Sequence, residues 1–273
     1  SIMTTIFSNN ETSLTLAYDA AGSFAVQFLD LYGKPLANTK VSAKFDNVAL
    51  DNTNTNEQGI LSIDINPKNT IGKHYIDYLN PKTGETLRIT IDVVSRFSGN
   101  SNINMYYYDG HTYKVRVKGD NGEFVGSNQI VTIKIGKHTF KVKTDANGYA
   151  TLKIPSKITP GKYTISATYK GQTVKNTLTV KQVLKTKKTV TVKKSANHVD
   201  LYVKLKSGSK PLKYQKVTFT FNGKTYKAKT NSKGIAKVIV KNSVLKKLKV
   251  GKAVKYQVTY LRDTVTKIVK VKR

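Results

Sequence analysis

The chain has 273 residues, of which 38% are hydrophobic and 23% charged, with no Cys and a formal net charge of +31. Length allows two or three domains, while the lack of Cys excludes disulfide frameworks, thiolate zinc sites and a cysteine nucleophile. Only 6 Pro and 18 Gly exclude collagen and proline-rich linker, no apolar run is long enough to span a bilayer, and Ser1-Ile2-Met3 has none of the character of a signal peptide.

In chain order, Phe24, Val26 and Phe28 alternate with Ala25, Gln27 and Leu29, the period-two pattern of a half-buried strand. Gly33-Lys34-Pro35-Leu36 follows, then a strand over 41–45, a turn at Asn56-Glu57-Gln58-Gly59, a strand over 60–65 and Gly72-Lys73-His74-Tyr75. The same order returns as Val115 and Val117 in alternation, Asp120-Asn121-Gly122-Glu123, a strand over 130–135, Gly136-Lys137, a strand over 140–144, Asp145-Ala146-Asn147-Gly148 and Gly161-Lys162-Tyr163. It returns again as Ser209-Lys210-Pro211-Leu212, Val217, Phe219 and Phe221 in alternation, Asn222-Gly223, Asn231-Ser232-Lys233-Gly234, Val250-Gly251, and Tyr256, Val258 and Tyr260 in alternation. Asn222-Gly223 between two such runs is a strong hairpin signal. Only 240–250 has apolar residues at helical spacing, enough for a turn or two of helix.

Gly59, Gly148 and Gly234 are spaced by 89 and 86 residues, so the repeat is a whole domain. Short strands rich in Thr, Val, Ile and Tyr, joined by Gly-Lys, Asn-Gly and Pro-Gly turns, predict two antiparallel sheets packed face to face in each unit. The expected units are 1–98, 99–184 and 185–273. Short joins near 97–101 and 184–188 predict an elongated arrangement.

Unit two carries Thr144-Asp145-Ala146-Asn147-Gly148-Tyr149-Ala150-Thr151-Leu152 and then Pro160-Gly161-Lys162-Tyr163-Thr164-Ile165, after a Met105-Tyr106-Tyr107-Tyr108 lead. These segments resemble the tandem immunoglobulin-like repeats of invasin/intimin-type proteins, and above all those of the adhesin-like surface proteins of methanogenic archaea. The likeness covers units two and three. Unit one departs from it, with Asn56-Glu57-Gln58-Gly59-Ile60 in place of the Asp-x-x-Gly turn and a slightly acidic surface. The resemblance implies an all-β chain of three tandem antiparallel Ig-like sandwiches, at the cell surface and without enzyme activity.

Charge is graded along the chain. Residues 1–97 hold 8 basic and 10 acidic side chains, 98–183 hold 13 and 4, and 184–273 hold 26 and 2, for nets of −2, +9 and +24. The last third therefore seeks an anionic partner. Its cations are nearly all Lys, a mobile point charge, which argues against sequence-specific nucleic-acid readout by bidentate Arg. Lys224, Lys227, Lys229, Lys237, Lys246, Lys247 and Lys249 are the candidate binding side chains.

No catalytic site emerges. His74, His111, His138 and His198 form no HExxH or other close ligand set, and no phosphate cradle or serine elbow is present. Asp46, Asp51, Asp64 and Asp77 could gather carboxylates for calcium, but no EF-hand spacing exists and a solvated acidic surface is the plainer reading. No metal or cofactor is expected. Asp145, Asn147 and Gly148, like Asn231 and Gly234, read as turn determinants. Tyr106, Tyr107 and Tyr108 follow the first join and read as interdomain packing, with stacking on sugars or bases as the alternative.

The sequence thus points to an extracellular, non-enzymatic segment bound to the cell surface or wall. Its basic end would dock on an anionic cell-wall polymer or cell-surface glycan, and its N-terminal end would project toward a partner such as a surface protein of another cell. A purely structural stalk and a nonspecific polyanion or nucleic-acid binder are the alternatives.

Overall fold

The computed structural model describes residues 4–186 and 189–273. The absence of a signal peptide read from Ser1-Ile2-Met3, and Lys187 and Lys188 of the second join, fall outside the described residues.

The same pair of sheets is built three times. In the first, a three-stranded sheet (Ile6–Phe7, Gly22–Phe28, Ile60–Ile65) faces a five-stranded one ordered Ser13–Ala17, Thr86–Val94, Gly72–Leu79, Ser42–Phe45, Val48–Ala49. In the second, Phe97–Ser98, Thr112–Val117 and Tyr149–Lys153 face Ile103–Tyr106, Gln172–Lys181, Gly161–Tyr169, Ile130–Ile135 and His138–Lys143. In the third, Leu184–Lys185, His198–Ser207, Lys210–Pro211 and Ile235–Lys241 face Thr189–Lys193, Asp263–Lys272, Ala253–Tyr260, Lys216–Phe221 and Lys224–Lys229.

Each opening strand is split. Its first half pairs antiparallel in the small sheet, and its second half crosses to the other sheet and runs parallel to the last strand, as with Ser13–Ala17 on Thr86–Val94. The second and third units repeat this. Each antiparallel sandwich thus also carries one parallel pair, between its opening and its last strand. Period-two alternation tells which face is buried but carries no information about the direction of the neighbour. The result is a tandem of Ig-like β-sandwiches.

The alternating residues fill the cores: Phe24, Val26 and Phe28, then Val115 and Val117, then Val217, Phe219 and Phe221, are all buried. The first unit has its own apolar cluster, whereas one continuous cluster runs through the second and third. The helical signal over 240–250 shrinks to Asn242–Leu245, because Val240 already belongs to the strand Ile235–Lys241. Leu245 and Leu248 then cover the end of the core.

The glycine turns explain why the repeat survives in the sequence. Asp145 Oδ1 accepts the N–H groups of Asn147 and Tyr149, Asn231 Oδ1 those of Lys233 and Ile235, and Asn56 Oδ1 those of Gln58 and Ile60. These backbone bonds, Tyr149 first, hold the Asp145 carboxyl below the usual carboxylate range. Unit one is thus no exception: Asn performs the same turn as Asp, since both present an acceptor oxygen at the same reach. Gly59, Gly148 and Gly234 have φ of +74°, +82° and +76°, and a Cβ at Gly59 would lie 2.6 Å from the Phe28 carbonyl oxygen. Each glycine carbonyl in turn accepts from the facing strand, at Phe28, Val117 and Leu205. Just before each turn a buried Thr hydroxyl (Thr55, Thr144, Thr230) bridges two backbone groups.

Candidate functional site: lysine faces and junctions

All seven candidate lysines are exposed, and among the described residues none is ion-paired. They do not form one patch. Lys224, Lys227 and Lys229 lie on the outer strand of the third five-stranded sheet, with Lys216 opposite Lys229. Lys237 sits in the other sheet opposite Tyr202, and Lys246, Lys247 and Lys249 follow the short helix. The sequence set is a belt around the third unit. Two carboxylates stand among these cations, Asp200 and Asp263, and Asp263 is only 7% exposed.

The outer face of this sheet also carries hydroxyls in register. Lys227 lies opposite Thr218, Thr218 opposite Thr259, and Thr259 opposite Thr264, whose hydroxyls are 2.9 Å apart. The second unit repeats this row as Lys141, Thr132, Thr168 and Thr173. These rows join residues far apart in sequence, so only strand register reveals them.

The first junction is built on Arg96, 1% exposed between the strands Thr86–Val94 and Phe97–Ser98. Its Nε donates to the Tyr18 carbonyl at 2.6 Å and its Nη2 to Asp120 Oδ1 at 2.7 Å, while Nη1 reaches the Lys118 carbonyl at 3.3 Å. Its own N–H donates to Gln172 Oε1 at 2.7 Å. The guanidinium beside Asp120 holds that carboxyl below its ordinary value. Ala17 N–H donates to the Asp120 carbonyl at 2.9 Å, a main-chain bond across the junction. Sequence reasoning missed Arg96; the available signal was one of only five arginines standing at the expected join.

The second junction is aromatic. Tyr107, 1% exposed, donates from its hydroxyl to the Ser156 carbonyl at 2.6 Å and accepts the Arg262 N–H at 3.0 Å. Its ring meets Tyr260 edge-on at 6.1 Å. Tyr106 lies against Gly208, where a Cβ would come within 3.1 Å of its hydroxyl, and Tyr108 stays 42% exposed. Of the three tyrosines, Tyr106 and Tyr107 touch the third unit and Tyr108 faces solvent.

Asp263 begins the last strand beside this junction, and its Oδ2 is buried without a hydrogen-bond partner among the described residues. Burial pushes the carboxyl up, against the pull of the Thr264 N–H. A carboxyl raised on folding gives stability that is greatest below its ordinary value of 3.8 and is lost as pH rises through the raised value. Asp263→Asn should therefore raise stability at pH 7 and flatten its fall as pH rises above the ordinary carboxylate value. Thermal unfolding across pH checks this; equal melting temperatures at neutral pH would contradict it.

Two of the carboxylates considered for calcium are held by internal partners. Asp46 receives the His74 ring at 2.5 Å and the Tyr75 N–H at 2.9 Å, and the other ring nitrogen meets the Thr70 carbonyl at 2.6 Å. Burial disfavours the charged ring, but these two acceptors outweigh it and raise the His74 pKa. Asp77 is spent on Arg88. Among the described residues no three His, Asp or Glu gather as a metal site, and no helix is long and apolar enough to cross a membrane. Asn147 enters its turn through the backbone, its carbonyl accepting from Arg116 Nε at 2.8 Å.

No protein-family model matches the chain, and neither does any curated protein sequence. Solved structures do. A tandem from titin is 12% identical, with 98% of this chain and 99% of that one covered at a TM-score of 0.45. A 1.5-MDa bacterial ice-binding adhesin is 16% identical, with 94% of each chain covered at a TM-score of 0.26. An intimin fragment is 23% identical, with 63% of this chain and 95% of that one covered at a TM-score of 0.26.

Proposed function

We propose that the chain is a non-enzymatic, extracellular, adhesin-like segment whose basic third unit docks on an anionic cell-wall or cell-surface polymer while the first unit projects outward. Its modules on this reading are 1–98, 99–184 and 185–273, with Phe97–Ser98 and Leu184–Lys185 pairing forward into the second and third sandwiches, and the resemblance of 144–152 and 160–165 to the adhesin-like surface proteins of methanogenic archaea supports the reading. The observation that carries the docking is the set of 26 cations in residues 184–273 facing two carboxylates, with all seven candidate lysines exposed. Such a field attracts polyanions of any kind, so sign alone does not choose between wall and nucleic acid.

The test is sedimentation of the intact chain with isolated anionic walls at about 0.15 M and about 0.5 M salt, with and without excess DNA. Wall binding that persists at the higher salt and resists DNA is expected. Binding abolished by DNA and salt alike would assign the chain to the nonspecific polyanion binders, and no binding would leave a stalk.

A further inference from the structure

A cleft of about 570 Å³ opens beside the second junction, its lining including Lys137, His138, Lys157, Thr159, Tyr163 and Arg262. Lys137 and His138 come from the hairpin between Ile130–Ile135 and His138–Lys143. Lys157 and Thr159 come from the loop before Gly161–Tyr169, and Arg262 from the turn between the last two strands. The third unit thus completes a site that the second begins, and the bond from the Arg262 N–H to Tyr107 fixes that turn in place.

We propose that this cleft binds a short acidic segment of a glycan, one or two sugar units bearing carboxylate, sulfate or phosphate groups. This deepens the docking reading above and rests on it for the class of polymer. Three permanent cations converge there, and no carboxylate is among the lining residues. None of the three is ion-paired among the described residues, in contrast to the first junction, where Arg96 is neutralised by Asp120. Lys157 rests over the Phe140 ring at 4.7 Å, and among the described residues no carboxylate has to be displaced from any of the three for an anion to bind.

Tyr163 supplies the sugar-facing part. Its hydroxyl is anchored on the Thr159 carbonyl at 2.6 Å. The ring is flanked by Gly136 and Gly161, where a Cβ at either position would approach within 3.6 Å. A half-buried ring next to Lys and a Thr hydroxyl matches the apolar face and equatorial hydroxyls of a pyranose. Apart from Arg262 the lining has none of the Arg, Asn or Gln side chains that read base edges, so a glycan is favoured over nucleic acid.

The experiment is calorimetric titration of the intact chain with hexagalacturonate, a sulfated hexasaccharide, a neutral hexasaccharide and a thymidine hexanucleotide. Two variants remove equal charge from exposed positions: Lys137→Ala/Lys157→Ala/Arg262→Ala in the cleft, and Lys34→Ala/Lys40→Ala/Lys44→Ala on the first unit. Unchanged melting temperatures establish that both fold. The proposal expects at least tenfold weaker acidic-hexasaccharide binding in the cleft variant, less than twofold in the first-unit variant, and weakening by Tyr163→Leu. The two acidic probes then tell carboxylate from sulfate preference within the proposed class.

Equal losses in the two charge variants, hexanucleotide binding as tight as the hexasaccharide, or no hexasaccharide binding would each overturn it. No acidic-hexasaccharide binding by the intact chain, with its wall sedimentation intact, refutes this inference alone. Absence of wall sedimentation with the cleft still titrating refutes the docking reading alone.

Discussion

Arg96→Ala is expected to cost about 3 kcal/mol and to separate the unfolding of the first sandwich from that of the second. The guanidinium reaches the Tyr18 carbonyl of the first unit and the Lys118 carbonyl and Asp120 carboxylate of the second together. Truncation leaves these acceptors around a cavity that Ala cannot fill, with the Gln172 bond to the backbone and the Ala17–Asp120 main-chain bond as surviving ties. Arg96→Lys should recover part of the loss, because an ammonium keeps the charge but not the planar fork. The exposed Arg88–Asp77 pair is the control, and Arg88→Ala should leave the transition where it is. Calorimetry decides: one coupled transition for these two units in the parent and two in Arg96→Ala is the expected result. Coincident profiles would mean that the junction is held by something other than Arg96.

The second large effect is at the glycine turns. Gly234→Val places a branched side chain at φ +76° with its Cβ overlapping the Leu205 carbonyl oxygen. The left-handed conformation alone costs about 1–2 kcal/mol. The overlap cannot be relieved by a rotamer change, because Leu205 is paired there through its own N–H to the Gly234 carbonyl and through its carbonyl to the Leu212 N–H. A total of roughly 3–4 kcal/mol is expected, enough to unfold a small sandwich at moderate temperature. Gly148→Val should behave alike, since a Cβ there would lie 2.9 Å from the Val125 carbonyl oxygen. Gly223→Ala is the contrast: its φ is +77°, yet no atom lies within 4 Å of its Cβ, so strain is paid without overlap. Urea unfolding of the three variants separates the two contributions. Equal losses at Gly223 and Gly234 would refute the close approach.

The contrast between these positions also explains what the sequence made legible. Gly59, Gly148 and Gly234 recur because the main chain of one strand presses on another, and that constraint is written at a single residue. Likewise Phe24, Val26 and Phe28 disclose a buried face by their spacing alone. The split first strand is different: Ser13–Ala17 and Ile6–Phe7 choose different sheets, and that choice is made by partners some 20 to 80 residues away. The lysines were legible as charge but not as places, because Lys237 and Lys227 look alike until register assigns them to different sheets. Arg96 and Arg262 act through contacts with the neighbouring unit, and no local pattern announces such a contact.

The most direct test of the docking account keeps net charge fixed and moves its location. One variant changes Lys224, Lys227, Lys229, Lys237, Lys246, Lys247 and Lys249 to Gln. Its counterpart changes Lys34, Lys40, Lys44, Lys73, Lys82, Lys134 and Lys141 of the first two units. Both lose seven charges, and their binding to isolated anionic walls is measured at the same ionic strength. The account predicts at least tenfold weaker binding for the first and little change for the second. Equal weakening of both would contradict it, leaving net charge rather than the third unit as the source of attraction.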